Sequence, residues 1–227
     1  MKKKSSKRYL KLFEMSKDKK IETLEDAIAK VKKNCTSKFD ESIDVSFSIN
    51  LKNKKEETNL RTIVNLPNGN GKKIRVAVLC EESKIQEAKD SGAEIPGSAN
   101  LIDDITAGKI NFDRLIATPA MMSKMGKLGK ILGPKGLMPN PKLGTVTNDI
   151  KSSVKSLKSG QIEIRNDKDG NIGASIGRKS FTDTKIKQNY DAVKQTILKE
   201  KPGGIKGDFI LSAYITSTMG VSYKLKK

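Results

Sequence analysis

Histidine and tryptophan are absent from the 227 residues, and cysteine occurs only twice. Without histidine the commonest general base is missing, and with it every Ser/His or Cys/His nucleophile arrangement. Carboxylate or lysine chemistry remains as a route to catalysis. Cys35 and Cys80 stand apart with no CxxC spacing, so a conventional zinc site has too few ligands and neither a metal nor a cofactor is expected. Both are expected as reduced thiols in a cytoplasmic setting. No stretch reaches the roughly 18 consecutive apolar residues of a membrane-spanning helix, and no membrane partner is expected. The basic start MKKKSSKRYLKLF lacks the apolar core of roughly 7–15 residues that a signal peptide carries, so no export is expected.

Acidic residues are also in deficit, 26 against 45 Lys plus Arg, for a formal charge of +19. Such a surface carries a positive field that draws polyanions, nucleic acid first. Only six of the basic residues are arginine, so a lysine-rich background could supply much of the excess, and charge alone does not choose the partner.

Apolar spacing predicts a helix over Glu25 to Asn34 behind a Thr23 cap. In SIDVSFSINL, Ile43, Val45, Phe47, Ile49 and Leu51 alternate with Asp44, Ser46, Ser48 and Asn50, which predicts a strand with one buried side. A second strand, Leu60 to Leu66, follows a lysine-rich turn. At PNGNGK (Pro67 to Lys72) the texture changes to IRVAVLC, a continuous apolar run of the kind found in buried parallel strands. Helices are then predicted over Glu82 to Ser91, Ala99 to Ala107, Ala120 to Leu128 and Thr147 to Leu157, with a short apolar strand at Leu115 to Ala117. Alternating strand and helix predicts a three-layer α/β unit. Beyond Gly160 the alternating texture returns in QIEIRN, NIGASIG and DFILSAYITST, interrupted by a helix over Asp183 to Glu200 with Ile186, Tyr190, Val193 and Ile197 on one face. The expected organisation is α/β with two domains: one from both termini, residues 1–67 and 159–227, and one inserted, residues 68–158. Outside Asn68 to Lys158 there are 30 basic and 17 acidic residues, against 15 and 9 inside, which makes the terminal domain the main expected polyanion binder.

Three features invite a functional reading. The run GKLGKILGPKGLMPNPKLGTVT, Gly126 to Thr147, holds five glycines, three prolines, four lysines and no acid, and is not expected to form a regular helix or a central strand. An exposed loop of this kind suits phosphate contact, and equally suits a turn-rich connection with solvated lysines. It does not supply the GxxxxGK[ST] order of a phosphate-cradling loop, so nucleotide hydrolysis is not expected. Along the C-terminal strand, Phe209, Leu211, Ala213 and Ile215 are expected to face the core and Ser212, Tyr214, Thr216 and Thr218 the other side. Four hydroxyls there suit recognition of the RNA 2′-hydroxyl, or form a plain solvated face. Phe39 either stacks on a base or anchors a strand start. The pairs Glu81/Glu82 and Asp103/Asp104 are expected at helix starts, where acids favour the macrodipole. A carboxylate and magnesium RNA-processing enzyme and a nonspecific DNA compactor are the competing classes.

The run from Gly126 to Thr147 resembles the signature of the first protein of the bacterial large ribosomal subunit, the L-one stalk family. So do KFDESIDV at Lys38, LPNGNGKKIRVAV at Leu66, ATPAMM at Ala117, IRNDKDG at Ile164, IGRKSF at Ile176, KPGGIKG at Lys201 and TSTMG at Thr216. The resemblance implies a discontinuous α/β split-sandwich domain from both termini and an inserted Rossmann-like three-layer domain. It implies a non-enzymatic ribosome component of the cytoplasm, monomeric when free, that binds large-subunit ribosomal RNA at the mobile stalk and assists release of deacylated tRNA from the exit site. It also implies repression through the protein's own messenger RNA. Matching positions put the RNA surface at Lys38, Phe39, Ser42, Thr216, Ser217, Thr218, Met219 and Gly220, with Asp167, Lys168 and Gly170 adjoining it. A secondary RNA contact falls on Lys127, Lys130, Lys135 and Lys142. The chain departs from the family pattern at Ala120, where an acid is usual, at Thr62, where many members have glycine, and at Val221, where proline is usual.

Overall fold

The computed structural model describes residues 6–15, 21–51, 60–202 and 207–226. The expected lysine-rich turn at 52–59 and residues 203–206 of the KPGGIKG motif lie outside them. The protein is mixed α/β. In chain order it comprises α1 (Lys7–Met15), α2 (Leu24–Asn34), β1 (Ser42–Ile49), β2 (Arg61–Asn65), β3 (Val76–Leu79), α3 (Ile85–Asp90), β4 (Ile95–Gly97), α4 (Ala99–Thr106) and β5 (Arg114–Ala117). There follow α5 (Pro119–Met125), α6 (Gly129–Leu132), α7 (Ile150–Lys158), β6 (Gln161–Arg165), β7 (Asn171–Arg178), α8 (Asp183–Lys199), β8 (Ile210–Ser217) and β9 (Tyr223–Leu225). Two compact units result, Met1–Gly71 with Ile162–Lys227, and Lys72–Gln161.

The first unit is built on a sheet of order β7-β1-β8-β9, antiparallel throughout. The alternation of β1 does what its period requires: Ile43, Val45, Phe47, Ile49 and Leu51 are all buried. They pack on one sheet face against Ala27, Ile28 and Val31 of α2 and Ile186, Tyr190, Val193 and Ile197 of α8, with the Phe47 and Tyr190 rings 5.7 Å apart. Thr23 caps α2 by accepting from the Asp26 amide at 3.2 Å. β2 and β6 form a separate two-stranded sheet. The helix α1 has no counterpart among the sequence expectations; its Leu12 joins the core.

Two details of β8 and its surroundings correct the expectations. The register slips between Ser48 and Ile49, so that Ser48 faces Ser212 but Ile49 faces Ile210. The extra residue turns Leu211 outward, 40% exposed, and Ile210 inward, as a bulge does when two residues oppose one. Strict alternation had assigned Leu211 to the core. The PNGNG segment is held by the first unit. Asn189 of α8, fully buried, accepts from the Asn68 amide at 3.1 Å and donates to the Gly69 and Ile176 carbonyls at 2.8 and 2.7 Å. Gly71 has φ +74°, a conformation that favours glycine, and a Cβ there would crowd the Arg178 side chain at 3.0 Å from Cδ. The chain therefore crosses at Gly71/Lys72, and crosses back at Gln161/Ile162.

The second unit centres on a parallel sheet of order β4-β3-β5. All four residues of β3 are buried because helices cover both faces. Ala77 and Leu79 meet Leu101, Ile105, Met121, Met125, Leu128 and Leu132, and Val76 and Val78 meet Ile116, Ile150, Val154 and Leu157. The edge strand β4, Ile-Pro-Gly, was not anticipated; proline is tolerated in sheets at edges. Cys35 and Cys80 are free and buried, and burial pushes both thiols above their ordinary pKa. Within Gly126 to Thr147 the expectation of no regular helix needs amending. One-turn pieces occur at Gly126–Leu128, Gly129–Leu132 and Pro141–Leu143, each ending on a buried leucine, Leu128, Leu132 or Leu143. The glycines limit these turns in length without preventing them. Glu82 does lie in a helix start, a 3-10 turn, whereas Asp103 and Asp104 sit in the second half of α4.

Candidate RNA interface

One end of the four-stranded sheet gathers most of the predicted residues. β1 begins at Ser42 and β8 ends at Ser217, with Ile43 opposite Ser217, so the chain beyond β8 turns beside the start of β1. The Thr218 amide donates to the Ser42 carbonyl at 3.1 Å, and the Ser42 amide donates to Thr218 Oγ1 at 3.0 Å. A threonine hydroxyl thus replaces a main-chain acceptor and extends the ladder by one bond. The turn closes with the Gly220 amide donating to the Ser217 carbonyl at 3.2 Å. A Cβ on Gly220 would lie 2.4 Å from Ser217 Oγ, so the turn closes this tightly only with glycine.

Beneath this turn lies Glu41, wholly inaccessible to solvent. Its carboxylate accepts from the Ser37 amide through Oε1 and from the Met219 amide through Oε2, both at 3.1 Å. Its carbonyl accepts from the Lys179 amide at 2.9 Å. One buried carboxylate therefore ties the 37–41 loop to the 218–220 turn. Burial works to raise the Glu41 pKa, but the adjacent Ser217 hydroxyl and the Met219 and Ser37 amides outweigh it and hold the carboxyl below its ordinary value. Ser217 Oγ is itself buried, short of a fully formed hydrogen bond. Arg8 of α1 adds a second tie, donating to Thr36 Oγ1 at 3.1 Å and to the Met219 carbonyl at 3.0 Å. On the two segments so joined, Phe39 is 53% and Met219 44% exposed. The Phe39 ring is thus displayed to solvent, and of the two readings left open by the sequence, the strand-start anchor is the one its exposure disfavours.

The sheet face opposite the helices is lined by short polar side chains. Register pairs Asp44 with Thr216, Ser46 with Tyr214 and Ser48 with Ser212, and across the other edge of β1 pairs Asp44 with Ser175 and Ser48 with Asn171. All of these side chains are partly or fully exposed. Hydroxyls with free donor and acceptor capacity can pair with ribose 2′-hydroxyls and base edges.

The predicted residues do not all converge. Lys38, Phe39, Ser42, Thr216, Thr218, Met219 and Gly220 meet at the end just described. Ser217 is there too, but only 4% exposed, so its side chain supports the turn from below. Asp167, Lys168 and Gly170 do not adjoin this group. The Ile49 amide donates to the Gly170 carbonyl at 2.8 Å, which places their turn at the far end of β1, about 23 Å from Ser42 at the strand rise of roughly 3.3 Å per residue. The antiparallel pairing of β7 with β1 forces this, because the β6–β7 turn must open where β1 finishes. Asp167 organises that turn internally: Oδ1 accepts from the Asp169 and Asn171 amides at 2.9 and 2.7 Å. The Asn171 amide is the largest influence holding its carboxyl below the ordinary range. Lys127, Lys130, Lys135 and Lys142 belong to the second unit and are all exposed.

Glu41 and Arg8 were not anticipated. Glu41 left a signal, since position 41 continues the odd-numbered stripe of 43, 45, 47, 49 and 51 and should face inward. Arg8 left none, because its partners are 28 and 211 residues away.

Residues 31–221 match the model of the ribosomal protein L1p/L10e family. The chain belongs to this family. Among its relatives, the large ribosomal subunit protein uL1 of Pelagibacter ubique (strain HTCC1062) is 60% identical over 222 residues, covering 97% of each chain. The proteins of the same name from Rickettsia peacockii (strain Rustic) and Rickettsia akari (strain Hartford) are each 46% identical over 202 residues, covering 89% of this chain and 84% of theirs. Val221 is buried, 5% exposed, and the chain after it returns to the sheet as β9 against β8.

Proposed function

We propose that this chain is a non-enzymatic structural component of the large ribosomal subunit that binds ribosomal RNA through the Ser42 and Thr218–Gly220 end of its first unit. The observation that carries the reading is the display of Phe39, Thr218 and Met219 to solvent on two segments joined by a buried carboxylate. Fixed donors, acceptors and apolar side chains of this kind recognise one RNA shape without reorganising. Phosphate contacts by lysines add a salt-sensitive part to the affinity, and the shape and 2′-hydroxyl contacts a salt-insensitive part. The site of binding is the mobile stalk, where the chain assists release of deacylated tRNA from the exit site; a similar RNA shape in its own messenger makes it a translational repressor. Asp167, Lys168 and Gly170 serve an RNA long enough to cross the hydroxyl-lined face, and Lys127, Lys130, Lys135 and Lys142 make a secondary contact.

Thr218→Val is the test. Valine keeps the shape but leaves the Ser42 amide without its acceptor and removes a hydroxyl from the surface. Specific binding to a stalk ribosomal RNA fragment is expected to weaken by about 1 to 3 kcal/mol, with binding to an unrelated RNA unchanged, in filter binding at one fixed salt concentration. Equal losses on both RNAs would remove the assignment.

A further inference from the structure

We propose that Arg178 binds an RNA phosphate beside Ser42, which adds the end of β7 to the grip. The inference rests on the RNA-binding reading above and extends it to the strand on the other side of β1 from the Thr218 turn. Register sets Arg178 opposite Ser42, whose amide donates to Thr218 Oγ1. The three residues therefore stand in a row across the end of the sheet, roughly 5 Å from strand to strand. The chain beyond Arg178 is fixed to the same end. The Phe181 amide closes a turn on the Arg178 carbonyl at 3.0 Å, and the Asp40 carboxylate accepts from the Ser180 amide at 3.1 Å and the Ser180 hydroxyl at 2.8 Å.

Arg61 and Arg75 are paired with Glu163 and Asp113. Arg178, among the described residues, pairs with no carboxylate. Its guanidinium meets Asp40 through the main chain, Nη1 donating to the carbonyl at 3.5 Å, which is too long for a strong hydrogen bond. Nε is buried with no acceptor. The aliphatic stem lies over Gly71, Cδ 3.0 Å and Cγ 3.2 Å from where a Cβ there would stand. The cation is thus seated by its stem, sheltered from water at Nε, and left with most of its donors uncommitted. Shelter strengthens its field. A planar fork of donors matches a phosphate, which accepts two parallel bonds from it, and the row through Ser42 and Thr218 is where an RNA backbone would pass.

The experiment measures the salt dependence of binding by the full chain to a stalk ribosomal RNA fragment. Arg178→Gln should bind about tenfold more weakly at low salt. Its plot of log affinity against log salt should be shallower by roughly one unit, because one phosphate is no longer neutralised. Arg178→Lys keeps the charge and loses the fork, so its slope should match the parent's and its affinity fall between. Replacing single phosphates of the fragment by neutral methylphosphonates should find one position that weakens the parent as Arg178→Gln does and weakens that variant little further. If the glutamine variant does not fold, the lysine variant carries the comparison: the same position should cost it less than it costs the parent. Affinity lost with an unchanged slope overturns the proposal, leaving Arg178 a support of its turn or a contact to a base edge. So does the lack of any phosphate position whose effect depends on residue 178. Thr218→Val run in parallel separates the two readings. If it loses specific binding while Arg178→Gln keeps the parent's affinity and slope, Arg178 alone is misassigned; if neither variant loses, the sheet end is misassigned with it.

Discussion

Glu41→Ala is expected to lower the stability of the first unit by about 2 to 4 kcal/mol, because it strands two part-buried amides at a cost of roughly 1 to 2 kcal/mol each. The amides are those of Ser37 and Met219, so the loss falls where RNA is proposed to bind. Affinity for the stalk fragment should drop by at least about tenfold even under conditions where the variant remains folded, since the two segments are no longer held at one spacing. Glu41→Gln keeps one oxygen acceptor and sets an amide donor against the other N–H, and should fall between. The same site predicts a pH dependence. The folded-state pKa of Glu41 lies below its ordinary value of 4.5, so its stabilising contribution is complete above that value and is lost as pH falls through the lower, folded one. Urea unfolding of the parent and of Glu41→Gln over the acid range measures it: the parent's extra stability should shrink as the pH drops below the ordinary carboxylate value. A constant difference between the two down to strong acid would contradict the ionised, hydrogen-bonded carboxylate.

Asn189→Ala is the second large effect, expected at about 2 to 4 kcal/mol, since it removes three hydrogen bonds made by a side chain that is itself fully buried. The stranded groups are the Asn68 amide and the Gly69 and Ile176 carbonyls. Asn189→Asp should be worse than alanine at neutral pH: a carboxylate can still accept from Asn68 but faces two carbonyl oxygens with no proton to offer. Chemical denaturation ranks the three proteins, and an aspartate variant as stable as the parent would show that the amide bonds carry no weight. Loss of the clamp frees the Asn68–Gly71 segment from α8, the stretch that leads out of the first unit.

Period and composition announced the elements whose side chains face one way for one reason. β1, β3 and α8 each obey a single pattern, and each was readable to within a few residues. The departures have local causes that a pattern does not encode. Alternation points Leu211 inward because it says nothing of where a register slips, and the three residues Ile-Pro-Gly of β4 carry no period that would announce a strand. Asn189 lies inside the stripe of Ile186, Tyr190, Val193 and Ile197, so its burial was legible, while its three partners, 13 to 121 residues away, were not. At the candidate site, resemblance identified the residue names and the structure supplied their relations. Thr218, Met219 and Gly220 meet Phe39 and Ser42 because β8 runs antiparallel to β1. The same rule sends Asp167 and Gly170 to the opposite end, which no motif could have told. The Gly126 to Thr147 run, the most distinctive stretch of the sequence, folds into short turns that bury Leu128, Leu132 and Leu143 and expose its lysines, so part of its composition serves the core.

The central claim is that the principal RNA grip is the Ser42 and Thr218–Gly220 end of the first unit. Hydrogen–deuterium exchange of the full chain, with and without a stalk ribosomal RNA fragment at saturating concentration, tests it most directly. The account predicts strong new protection in residues 36–42 and 216–221, with a smaller effect across 126–147. Protection concentrated in 126–147, with residues 216–221 exchanging as in the free protein, would contradict it.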